Sequence, residues 1–329
     1  MLLRSGVDFK KALEILSNQS VNKFEKELIL QIKEKVIEGK SIYESMRESN
    51  QFSPYEYYSI QIGEETRKLE EVLGELQKYF NRKIQMKRQI VSVMTYPTIV
   101  MLVTILVLYF MLNKVVPMFS SVFKQFGSEL PKSTQIILKI SNHSGIIFSF
   151  VIGIIVALVA IHILLKEKDS YRSFTTKILL KIPYFGNLIR KIYISRFCQA
   201  MNLLITSKTT LINSLTLTAK MIGFYPIEVA IHQIKEDITR GASLNESLKK
   251  HNVFENKMVS MVEVAEQVNQ LETMFERLTE QYNEEISHQT KMIGVILEPM
   301  IIIVIGAIVG VIMVSMYAPM FDLSKIINK

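Results

Sequence analysis

Apolar and polar positions along this chain fall into two regimes. Three stretches, Gln89 to Asn113, Ile140 to Leu165 and Pro299 to Phe321, contain no Asp, Glu, Lys or Arg. Each exceeds the roughly 20 apolar residues that cross a bilayer as a helix, so the pattern predicts three transmembrane helices and excludes a wholly soluble protein. The polar segments between them carry apolar residues at helical spacing with almost no Gly or Pro. Leu69, Val72, Leu73, Leu76, Phe80 and Ile84 make one such stripe, and Leu271, Met274, Phe275, Leu278, Tyr282 and Ile286 make another. Both read as core faces of helical bundles rather than as ligand sites.

Helix boundaries follow from local chemistry. Gly39 can take the left-handed conformation that closes a helix, and Ser41 to Glu44 then has the spacing of a capping box. Gly241 and Ser243 to Glu246 repeat the arrangement, and Ser53-Pro54-Tyr55-Glu56 is a further helix start. Each polar segment is expected to form a bundle of about five or six short helices, stabilised chiefly by tertiary packing.

Self-comparison changes the picture. At a fixed offset of 202 residues Phe52 aligns with Phe254, Gly39 with Gly241, Glu64 with Glu266, and Leu69-Glu70 with Leu271-Glu272. The register continues without a gap through Leu76 and Leu278, Pro97 and Pro299, to Pro117-Met118-Phe119 and Pro319-Met320-Phe321. The chain therefore reads as a duplication of one unit, bundle then span. Two copies in one orientation need a return span between them, and the middle apolar stretch, which has no counterpart in the repeat, fills that place. The expected order is a cytoplasmic bundle over 1–91, a span over 92–113, an external loop over 114–142 and the return span over 143–165. A second bundle over 166–291, a third span over 292–316 and an external tail over 317–329 follow, in an all-α, polytopic membrane protein.

Charge bears on orientation. Lys78, Arg82, Lys83, Lys87 and Arg88 precede the first span, and Lys166, Lys168, Arg172, Lys177 and Lys181 follow the second. The intervening loop is sparser in Lys, which places the N-terminus inside and the C-terminus outside. Met1 to Leu3 lead directly into a charged helical pattern, so the first segment is expected to stay in the cytoplasm. The net charge of +8 is then read as membrane-surface and topogenic charge rather than as a nucleic-acid face.

Candidate chemistry is sparse. Nucleotide-binding, zinc and paired-cysteine signatures are missing, the five histidines are scattered, and the single Cys198 reads as a small buried apolar residue. No cofactor or metal is expected, and the protein is expected not to be an enzyme. Glu298 borders the third span and is a candidate by its position alone. Pro97 and Pro299 are expected to bend their helices where bundle meets bilayer. Gly306 and Gly310 form a small-xxx-small pair suited to close helix packing.

Taken in order, these residues resemble the polytopic platform proteins of type II secretion, type IV pilus and competence pseudopilus machines. The resemblance is carried by the repeated Gly-x-Ser element at Gly39 to Ser45 and Gly241 to Ser247, and by Phe52, Gly63-Glu64 and Leu69-Glu70. Tyr96-Pro97, Glu298-Pro299, Pro117 with Phe119, and Leu130-Pro131 before Thr134 complete it. Departures occur where Arg67 and Asn269 stand for a family glycine and where Ala265 stands opposite Gly63. The resemblance implies a cytoplasmic-membrane scaffold joining a hexameric assembly ATPase to pilin-like or pseudopilin subunits, homo-oligomeric and without direct nucleic-acid contact. Compact length, a short N-terminal segment and Lys-, Ile- and Asn-rich usage resemble the competence form. A pilus or secretion platform is the alternative, and a small transporter or a receptor a more distant one.

Overall fold

The computed structural model describes residues 5–118, 121, 136, 139, 143–165 and 168–327. The described secondary structure is helical. Four short helices open the chain: α1 (Phe9–Gln19), α2 (Lys23–Ile37), α3 (Ile42–Glu48) and α4 (Pro54–Glu65). The long α5 (Leu69–Phe110) follows and passes into a π-helical turn at Met111–Val115. Next come α6 (Ser144–Leu165), α7 (Asp169–Lys181), α8 (Phe185–Thr206), α9 (Leu211–Ile222), α10 (Tyr225–Thr239), α11 (Leu244–Lys249) and α12 (Asn256–Gln267). The 57-residue α13 (Leu271–Ile327) closes the described chain.

The chain divides into two compact units. Met1–Lys87 and Arg172–His288 form the first, and Arg88–Tyr171 with Gln289–Lys329 form the second. Within the first unit, α8 lies between two apolar clusters. Its Ile194, Phe197, Cys198 and Met201 enter a core built with α9 to α13, where Phe197 meets Phe254 and the edge of Phe275 at centroid distances of 5.2 and 5.9 Å. Its Ala200, Leu203 and Leu204 join Ile42, Tyr55, Ile60, Ile62, Val72 and Leu76 from α3, α4 and α5, with Phe9 of α1 and Val36 of α2 packed against them. Burial pushes the Cys198 thiol well above its ordinary value, as a small apolar core residue requires.

Both predicted stripes are found, with one difference. Phe275, Leu278, Tyr282 and Ile286 are all buried, whereas Ile84 is 46% exposed. In α5 the core face continues from Leu76 to Tyr79, which stacks on buried Tyr55 at 4.3 Å, and Phe80 and Ile84 lie outside that cluster.

Two helices among the described residues, rather than the expected three, are long and apolar enough to cross a membrane, and both run from the first unit into the second: Leu69–Met118 and Leu271–Val314. The expected return span coincides with α6, in which the apolar stretch Val156–Leu165 is too short by itself to qualify. Helix α5 runs through Pro97, which is buried, and α13 runs through Pro299, which is exposed. The π turn sits just before Pro117, and Val116 donates its amide five residues back to the Met111 carbonyl. Such a widened turn is a common way to accommodate a local interruption of the helical ladder. Val116 and Ile312 pack together with Leu108, Met111 and Leu112.

Close approach of the two apolar helices occurs at a glycine other than the expected pair. A Cβ on Gly294 would strike Val93 Cγ1, while a Cβ on Gly306 or Gly310 would meet nothing within 4 Å among the described residues. Leu130-Pro131, Thr134 and Phe119 lie outside the described residues, and for Pro319 only the helical backbone is described.

Candidate functional site

The residues that carry the sequence repeat converge on the starts of two short helices. In α3, Ser41 is the N-cap, and its hydroxyl accepts from the Glu44 amide at 3.0 Å while Glu44 reaches back to the Ser41 amide at 3.2 Å. That box leaves the first two helical amides without acceptors. Glu64, near the end of α4, supplies both: Oε1 accepts from Ile42 at 2.7 Å and Oε2 from Tyr43 at 2.9 Å. All four donors of the first turn are thereby satisfied, two of them by one half-buried carboxylate.

The same accounting holds at α11. Ser243 and Glu246 form the box, and Glu266 accepts from Leu244 at 2.7 Å and Asn245 at 3.0 Å. Glu64 and Glu266 therefore each tie the end of one helix to the start of another.

Left-handed backbone at helix ends sets up these approaches. Gly39 and Gly241 both have φ of +96°, and the following residues close the Schellman pattern: Lys40 donates to Lys35 at 3.0 Å and Ala242 to Asp237 at 3.0 Å. Arg67 (φ 59°) and Asn269 (φ 53°) close α4 and α12 in the same way, with Lys68 donating to Gly63 at 2.9 Å and Gln270 to Ala265 at 2.8 Å. The turn that the family glycine would provide is thus retained on non-glycine residues. Gly63 matters for space: a Cβ there would stand 3.0 Å from Leu69 Cα, whereas Ala265 is accommodated fully buried.

Leu69 and Leu271 begin the two long helices and pack half-buried against their cores, with Glu70 and Glu272 following in the first turns. Glu272 pairs with Lys208 at 3.6 Å. Tyr96 is half exposed, and Glu298 is exposed with no ion pair among the described residues. The structure brings Gly39, Gly63, Glu64 and Leu69 together around α3, and Gly241, Glu266 and Leu271 around α11. The span residues Tyr96, Pro97, Glu298, Pro299 and Pro117 belong to the second unit.

One pair of contacts escaped the sequence reading. Lys35 on α2 meets Glu48 at the end of α3 at 2.8 Å, with Lys40 at the same carboxylate, also at 2.8 Å. At the positions 202 residues on, Asp237 meets Lys250 at 2.8 Å. The tie is the same and its charges are exchanged. Hydrogen bonds from Lys35 and Lys40 hold the Glu48 carboxyl down to about 2, and Lys250 lowers Asp237. The signal was present in the offset alignment, as opposite charges at both members of a pair.

The arrangement holds helices in register, and among the described residues no group of His, Cys, Asp and Glu is placed to hold a metal ion. The model of protein F of the type II secretion system matches residues 1–117 and 197–319. The chain belongs to this family. Relatives of this protein F family member span nearly its whole length. The type IV pilus assembly protein PilC of Myxococcus xanthus is 31% identical over 99% of this chain and 79% of its own. PilC of Pseudomonas aeruginosa is 29% identical over 99% and 88%. The type II secretion system protein F of Pseudomonas aeruginosa is 26% identical over 99% and 81%. The two stretches matched by the family end at Pro117 and Pro319, the positions paired by the repeat.

Proposed function

We propose that this protein is a cytoplasmic-membrane platform that couples a hexameric assembly ATPase to the polymerisation of pilin-like or pseudopilin subunits. The observation that carries the reading is the match of the whole chain to pilus assembly and secretion proteins of one family. The platform is a scaffold without an active site or cofactor, and works as a homo-oligomer. Its chain is a duplicated unit, each copy a helical bundle leading into an apolar helix, α5 or α13. The paired Glu64 and Glu266 ties, the exchanged charges of Lys35–Glu48 and Asp237–Lys250, and the matched ends at 117 and 319 support this duplication. In this arrangement α6 is the return span, the N-terminus is cytoplasmic and the C-terminus outside. Pro97 and Pro299 lie where movement of the bundles passes to the spans.

The machine served is competence DNA uptake, a reading supported by the Lys-, Ile- and Asn-rich composition. Pilus assembly is the second reading, favoured by the names of its relatives. In either case the filament rather than this chain meets the cargo.

The full chain, solubilised in mild detergent, is expected to co-purify with a pilus-type ATPase and with pilin-like subunits. Retention of the ATPase by a chain lacking both bundles, with filament assembly intact, would overturn the platform reading. Loss of DNA uptake with piliation unchanged on gene disruption separates the competence role from the pilus role.

A further inference from the structure

Helix α7 begins four positions after Leu165, the end of the apolar helix α6, and lies outside both stretches matched by the family. It has two unlike faces. One is fixed to the first unit: Arg172 donates twice to the Glu228 carboxylate at 2.7 and 2.8 Å and lies over the Tyr225 ring, and Leu180 packs against the buried core. A tight turn holds the helix end there, since Gly186 donates to the Ile182 carbonyl at 2.8 Å and any Cβ on it would strike the Leu180 backbone.

The opposite face is apolar and uncovered. Phe174 and Ile178 follow at i, i+4 spacing, Ile182 continues the row into the turn, and Tyr184 and Phe185 extend it; Phe174 is 63% and Tyr184 70% exposed. Lys177 and Lys181 flank this row, exposed and without an ion pair among the described residues. A rigid helix with an uncovered apolar row, aromatic residues at one end and flanking lysines matches the chemistry of an anionic membrane surface. The chain's own continuity with α6 brings it there.

We infer that α7 is an in-plane membrane-surface helix, its Phe174–Ile178–Ile182 row seated at the headgroup–acyl boundary and Lys177 and Lys181 meeting anionic headgroups. This rests on the reading of α6 as a span. The helix would seat the first unit against the bilayer, because Arg172 and Leu180 on its other face are built into that unit.

The chain has no Trp, so single substitutions give clean reporters. Full-length Phe174→Trp, reconstituted in phosphatidylglycerol–phosphatidylethanolamine vesicles with brominated acyl chains, is expected to emit at short wavelength and to lose about half of its emission to bromine. Ile178→Trp reports on the same row should Phe174→Trp fail to fold, and Phe24→Trp, on exposed α2, is expected to stay unquenched. Adding Lys177→Glu and Lys181→Glu is expected to shift the lipid-seated equilibrium about fivefold per lysine toward the unquenched state. Water-like, unquenched emission from the Phe174→Trp chain overturns the proposal. So does blue-shifted but unquenched emission, which would mean that protein covers the row. Phe150→Trp on α6 separates the two readings: quenching there but not at position 174 removes this inference and leaves the span, whereas no quenching at position 150 removes the span.

Discussion

Glu64 and Glu266 show how much one side chain can settle. Each accepts two first-turn amides that no capping box reaches, so truncation strands both donors in a half-buried place. Glu64→Ala is expected to cost about 2 kcal/mol, read as a fall of about 4–8 °C in Tm for a unit of this size. Arg67→Gly is expected to act in the opposite sense, by about 1 kcal/mol, because it relieves a left-handed backbone on a residue with a Cβ. Thermal unfolding in detergent checks both signs. The offset of 202 residues singled out Glu64 and Glu266, and the glycine-bearing turns were legible because left-handed closure leaves short-range marks. It did not reveal what the two glutamates bind, since their partners lie more than twenty residues away across a helix junction. At Arg67 the residue type pointed away from the turn, whereas Asn269 is a type that takes left-handed backbone readily, and in both the Schellman hydrogen bonds, made by backbone, show that the turn persists.

At the scale of elements, the exchanged ion pairs give a direct test. Lys35→Asp places two acids together with Glu48, and Glu48→Lys gathers three cations with Lys35 and Lys40. Each is expected to lower Tm. The combination of Lys35→Asp, Lys40→Ala and Glu48→Lys rebuilds the Asp237–Lys250 arrangement, with Ala242 in the place of Lys40, and is expected to restore most of the loss. The tie in its natural polarity is present at neutral pH and is lost as pH falls from the ordinary carboxylate range through about 2, because Glu48 is depressed in the folded state. The helices themselves were largely legible from apolar spacing and caps. Where the reading erred, the cause was choice of neighbour. In α5 the core turned to Tyr79 because Tyr55 is there to stack on it, and a close helix approach that no small-residue pair marked lies at Gly294. Small-residue spacing shows that a helix can be approached, and it does not say by what.

At the scale of the molecule, the two polar segments are one compact unit, joined by α8. Leu204 is fully buried on the side of α8 that faces the first four helices. Leu204→Ala is expected to cost about 2–5 kcal/mol, and amide exchange is expected to rise together in α2 to α4 and in α9 to α12. Exchange confined to one half would contradict the shared core. The family was visible in the sequence, yet this union was not. Ala200, Leu203 and Leu204 look like any apolar positions of a helix, and nothing local says that they face a segment more than a hundred residues earlier in the chain.

The double-faced α8 also limits how such a chain can be recombined. A chimera joined anywhere between the first four helices and α8 sets one parent's Ile42, Tyr55 and Ile62 against another's Ala200, Leu203 and Leu204. Although residues recur at an offset of 202, the halves are exchangeable only as a matched pair, and a functional splice between relatives must carry both sides of that seam from one parent.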